Sequence, residues 1–202
     1  MKGDKKMAVY FSPNFNANFN AEHGVFESSL LKATISGHIW DARVQATVDN
    51  KVVDVDVDNG VAVKMGGFTG DGYQERTATI ATAKDKIGVI GSVPLVKDGY
   101  NLATGSEEKF YNKAGQLSKV YEVVGDAFDP DIFGVTSYLF SSNANLLKVN
   151  NYVTVDGNGG YVAVANKPAA NTNGFIGQIH SIYTNNFFTI VRIAVLQNKD
   201  VN

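Results

Sequence analysis

Three groups of side chains in this sequence have types and spacings that could do chemistry, and each also has a plainer structural reading. The first is the run Asp54-Val-Asp56-Val-Asp58-Asn59-Gly60, whose alternating carboxylates suggest a calcium loop. An EF-hand loop needs glycine at its sixth position and an acidic ligand at its twelfth. Those positions hold Asn59 and Met65. The intervening valines read instead as one face of a strand, which puts Asp54, Asp56 and Asp58 on the solvent face. The second group is Asp126, Asp129 and Asp131. Catalytic carboxylates need burial or a partner to separate their pKa values. Beside Gly125 and Pro130, these acids read as turn residues that accept backbone N–H groups. The third group is His23, His38 and His180, scattered without the H-x-x-x-H spacing of a zinc site. The chain has no cysteine, so disulfides and thiolate ligands are excluded. No G-x-S-x-G elbow, Walker loop or dinucleotide fingerprint occurs. The sequence nominates no catalytic, cofactor-binding or metal-binding residue, and the expectation is a protein that is not an enzyme.

The composition places those residues on a β framework. Hydrophobic residues make up 44% and charged residues 19% of the 202, enough apolar content for one sizeable core. The 20 glycines and numerous asparagines supply the positive-φ positions of tight turns. A net charge of −2 opposes non-specific nucleic-acid binding, which needs clustered Lys and Arg. No apolar run approaches the ~20 residues of a membrane span, and no signal-peptide pattern opens the chain. Neither a nucleic acid nor a membrane is an expected partner.

Two-residue periodicity predicts strands near 43–48, 52–57, 61–65, 77–82, 87–93, 119–124, 132–140, 152–156, 161–165 and 187–196. Asn59-Gly60 is the strongest hairpin signal and predicts a type I′ turn between 52–57 and 61–65. Gly157-Asn158 predicts a second hairpin, and Gly66-Gly67 through Gly72 reads as a loop. Residues 22–33, with Phe26 and Leu30 four apart, predict a short helix. Trp40 reads as an inward anchor. The stretch Lys119–Phe140 reads as strand, Gly-Asp corner, inward Phe128 and second strand. Val55, Val63, Val123, Phe128, Val155, Val162 and Val191 are the expected core. Residues 8–20, AVYFSPNFNANFN, alternate Phe with Asn and read as an extended arm whose rings need a partner. Phe11, Phe15, Asn16, Asn18 and Phe19 are its candidate partner-binding residues. The expected fold is all-β: a single antiparallel β-barrel or sandwich domain over 39–202, preceded by an extended N-terminal arm and connector over 1–38.

The order of these segments resembles the small β-barrel head decoration (cement) proteins of tailed bacteriophages. The residues that carry the resemblance are Asn59-Gly60, the Phe110–Gly115 segment FYNKAG, and Gly125-Asp126-Ala127-Phe128, within roughly 40–196. The resemblance implies a structural virion protein on the capsid exterior, made in the host cytoplasm. Its partner would be the major capsid protein and its state a homo-oligomer, a trimer in many relatives, with no cofactor and no catalysis. A β-sandwich recognition module, such as a phage fibre or carbohydrate-binding domain, is the alternative. That reading predicts a pocket lined by Tyr or Trp.

Overall fold

A computed structural model describes residues 23–32, 38–70, 75–93, 110–126, 128–184 and 188–202. The predicted arm, with Phe11, Phe15, Asn16, Asn18 and Phe19, lies outside the described residues.

The described residues form fourteen strands: β1 Phe26–Glu27, β2 Ile39–Val48, β3 Lys51–Asp54, β4 Val57–Asp58, β5 Ala62–Phe68, β6 Glu75–Ile80, β7 Gly88–Ile90, β8 Tyr111–Asn112, β9 Ser118–Glu122, β10 Ile132–Thr136, β11 Tyr152–Val155, β12 Tyr161–Val164, β13 Phe175–Thr184 and β14 Thr189–Asn198. The protein is all-β. Strands β2, β6, β5, β7 and β9 follow one another around a sheet that closes through β2–β9 pairing, a five-stranded barrel. Closure leaves these strands no free edge. One pairing, β2 with β6, is parallel, so the barrel is mixed rather than wholly antiparallel. The second sheet runs β1-β10-β14-β13-β11-β12, and a two-stranded ribbon joins β4 to β8.

The barrel interior follows from register, because directly opposed residues share a face. Trp40 opposes Val120, Val63 opposes Gly88, Met65 opposes Ala78, and Gly88 opposes Glu122. These residues, with Ala42 and Val44, point inward. Ala62 and Val89 have the opposite parity and pair with each other, yet both are fully buried. The outer wall of the barrel is therefore covered as well. Phe133, Phe140, Tyr161 and Phe175 form an aromatic layer of the second sheet, and Phe26 links it to Tyr121 of the barrel at 5.1 Å. The Tyr161 hydroxyl donates to the Gly60 carbonyl at 2.9 Å. One continuous core serves both sheets.

Several expectations are corrected here. The helix expected over 22–33 is absent from its described part, 23–32: Phe26 and Glu27 pair with Val135 and Gly134 of β10, and Val25 and Leu31 enter the core while Leu30 stays exposed. Long-range pairing overrides the local i, i+4 pattern. Asn59-Gly60 joins no hairpin. Strand β3 folds back on β2 instead, and the type I′ turn is Asp49-Asn50, with φ of 51° and 61°. At Asn59-Gly60 only Gly60 has positive φ, 88°. Gly66 and Gly67 lie within β5, where the register shifts between Met65 and Phe68. Val162 is half-buried because the Gly157 hairpin sets Val155 opposite Tyr161, which takes the inward place. The strand β13 has no counterpart in the sequence reading.

Candidate functional site

Asp54 accepts from the Gln45 amide at 3.0 Å, and Asp56 accepts from the Ala114 N–H at 2.7 Å. Asp58 is not on a solvent face. It is fully buried, with His23 Nδ1 2.9 Å from one carboxylate oxygen and the Gly24 N–H donating to the other at 3.0 Å. Burial raises the Asp58 pKa, and the hydrogen bonds from His23 and Gly24 oppose that shift. His23 also stacks on Tyr111, with ring centroids 4.9 Å apart. The alternating acids thus divide their work: Asp56 holds the loop after β8, and Asp58 holds the chain entering β1. Among the described residues no cluster of His, Cys, Asp or Glu is placed to hold a metal.

Two segments named in the resemblance meet at this point. Strand β8, within Phe110–Gly115, pairs with β4 just before Asn59-Gly60. The Asn112 side chain donates to the Val57 carbonyl at 3.2 Å and to Asn59 Oδ1 at 3.1 Å. Asn59 in turn exchanges two hydrogen bonds with the Ser92 backbone. Asn59-Gly60 is a buried polar junction, which explains an Asn-Gly pair that turns no hairpin.

The third segment is the corner after β9. Asp126 Oδ1 accepts from the Phe128 N–H at 2.7 Å and the Asp129 N–H at 3.1 Å, and buried Asp131 accepts from the Val124 N–H at 2.7 Å and the Lys32 N–H at 3.0 Å. The reading of these acids as acceptors of backbone N–H groups holds for Asp126 and Asp131 and not for Asp129. Asp129 also pairs with Lys32. The base of the corner is woven into β14: the Asp126 N–H donates to the Val195 carbonyl and the Val195 N–H to the Asp131 carbonyl. A Cβ on Gly125 would lie 2.8 Å from Gln197 Cα, so only glycine fits that approach. Phe128, expected in the core, is 98% exposed. The backbone of the corner is held by the Asp126 carboxylate, and the phenyl ring projects outward while Val123 and Phe133 on either side in sequence are buried.

Sequence reasoning missed the mouth of the barrel. At one end, Trp40, Met65, Arg76, Gly88 and Glu122 come from five different strands and line a cleft of about 140 Å³. Gly88 keeps it open, because a Cβ there would press on the Val120 side chain. The register shift after Met65 sets Phe68 opposite Arg76. The Arg76 guanidinium lies over the Trp40 ring at 4.2 Å and the Phe68 ring at 4.6 Å. Lys64 pairs with Asp85 at 2.6 Å, and Lys86 pairs with Glu122. Burial works to raise the Glu122 pKa, but hydrogen bonds and charge from Lys86, with a hydrogen bond from Trp40, hold it below the ordinary carboxylate value. Arg76 makes no ion pair among the described residues, and its Nε is buried without a hydrogen-bond partner.

No family model, curated protein or solved structure matches this chain.

The site's geometry is therefore the basis for function. It offers two contact features, a stiff corner presenting Phe128 and a barrel mouth presenting Arg76 between aromatic rings. A signal for the second was present in the sequence: Gly66-Gly67 interrupts an alternating run immediately before an aromatic residue, the mark of a bulge rather than a loop.

Proposed function

We propose that this protein is a structural component of a bacteriophage particle, a decoration protein that binds the outside of the capsid and bridges its subunits. The observation that carries the reading is Phe128. A phenyl ring that is 98% exposed on a corner fixed by side-chain and backbone hydrogen bonds is pre-organised for burial against another protein. Asp126 lies beside it, while Asp129 is already matched by Lys32, so the complementary surface is an apolar pocket with a basic group on the Asp126 side. The resemblance of the Asn59-Gly60, Phe110–Gly115 and Gly125–Phe128 segments supplies the identity of the partner, the major capsid protein, and a trimeric state. The arm residues Phe11, Phe15, Asn16, Asn18 and Phe19 are proposed to extend the same contact.

Co-sedimentation with undecorated capsids tests this. The intact chain should pellet with capsids and saturate, and Phe128→Ser should bind at least tenfold more weakly with an unchanged melting temperature. Deletion of residues 1–21 should weaken binding without unfolding the rest. An intact chain that stays in the supernatant at every capsid concentration would refute the assignment.

One observation favours a second reading, recognition of a carbohydrate on a host or particle surface. Trp40 lines the barrel-mouth cleft, and Phe68 beside it is 59% exposed.

A further inference from the structure

From the barrel mouth we infer a binding site for an acidic monosaccharide, a uronic or sialic acid unit. The inference rests on the recognition reading and supplies its ligand class; it is independent of capsid binding.

The charges of the cleft are unevenly matched. The cleft has three cations, and two are matched: Lys64 by Asp85 and Asp200, and Lys86 by Glu122. Arg76 is the cation without a carboxylate among the described residues. The Trp40 and Phe68 rings occupy the guanidinium's neighbourhood at 4.2 and 4.6 Å. Stacking of this kind fixes the plane of the fork and leaves its N–H edge as the hydrogen-bonding part. A planar acceptor with two oxygens matches that edge, and a carboxylate is such an acceptor. The Nε of the same guanidinium is buried without a hydrogen-bond partner, a costly condition for a donor.

The rest of the cleft narrows the class. Phe68 presents an exposed ring on which the C–H face of a sugar can lie. Glu122 and the exposed Asp200 carry acceptor oxygens suited to hydroxyl donors. A volume of about 140 Å³ suits one ring rather than a drug-sized ligand, for which pockets run to roughly 300 Å³ and more. Carboxylate, hydroxyls and one apolar face on a single ring describe an acidic sugar.

Trp40 is the only tryptophan, so its fluorescence reports on this cleft alone. The experiment titrates the intact protein with N-acetylneuraminate, glucuronate, glucose and inorganic phosphate. Saturation-transfer NMR on the sugar protons provides a readout independent of Trp40. Both acids should give saturable changes that glucose and phosphate do not. Arg76→Gln and Arg76→Lys should each weaken them by at least tenfold, because neither side chain offers a planar charged fork. Phe68→Ala, at an exposed position, should weaken them without altering the fold, as near-ultraviolet dichroism would verify. Glucose binding as well as the acids would overturn the carboxylate assignment and leave the recognition reading standing. Equal binding of phosphate would overturn the sugar assignment. No change with any sugar would overturn both.

Discussion

The carboxyl pKa values of Glu27 and Asp58 shift in opposite senses, the first because of a cation beside it and the second because of burial. Hydrogen bonds from Arg192 to both Glu27 oxygens, at 2.9 and 2.7 Å, hold its carboxyl below the ordinary value of 4.5, against the effect of burial. Its contribution to stability is complete above that value and is lost as pH falls through the folded pKa. Asp58 is the reverse case, because burial raises it above the ordinary 3.8. Its contribution is complete below 3.8 and is lost as pH rises through the folded pKa. Urea titrations at about pH 4 and 7 should therefore show a steeper rise in stability with pH in Asp58→Asn than in the parent. Glu27→Gln should show a shallower one. Equal slopes in all three would mean that these two groups do not set the pH dependence. Phe128 supplies the other test at this scale: Phe128→Ser should change unfolding free energy by no more than ~0.5 kcal/mol, the range of ordinary surface substitutions. A loss of several kcal/mol would place the ring in a core.

At the scale of elements, the turns carry the predictions. Asp49 and Asn50 both adopt positive φ, so Asn50→Gly should be neutral or stabilising and Asn50→Val should cost about 1–2 kcal/mol. Gly60→Ala should also destabilise, but through packing: a Cβ there would lie 2.6 Å from Leu139 Cδ1, in a residue already at φ 88°. Denaturant midpoints measure both. These two turns also show what was legible. The two-residue period over 187–196 was readable, and the strand β14 stands there with Val191 buried as expected. Strand β13 was not, because register shifts at Ile176/Gly177 and Ile179/Ser181 break the two-residue period. Asn59-Gly60 misled because an Asn-Gly pair signals positive φ, while the partner of each strand is decided by distant residues. For Asn59 these are Asn112 and Ser92. The barrel mouth was legible only at the Gly66-Gly67 bulge, for the same reason: five strands far apart in sequence announce no common end.

Across the whole molecule, the barrel and the second sheet share one core, so they should unfold together. Far- and near-ultraviolet dichroism should give coincident transitions; two separated transitions would mean independent units. Tyr161 joins the halves, fully buried among Phe133, Phe140 and Phe175 and bonded to the Gly60 carbonyl. Tyr161→Ala should cost about 3–5 kcal/mol and lower both signals in step. Among the described residues no helix is long and apolar enough to cross a membrane. The proposed place of action is the outer surface of a capsid, and one measurement addresses it most directly: a reconstruction by electron microscopy of capsids saturated with the protein. The account predicts density for the barrel and second sheet on the shell exterior, with the Phe128 corner buried against the major capsid protein. Capsids without added density, or density in which Phe128 faces solvent, would contradict it.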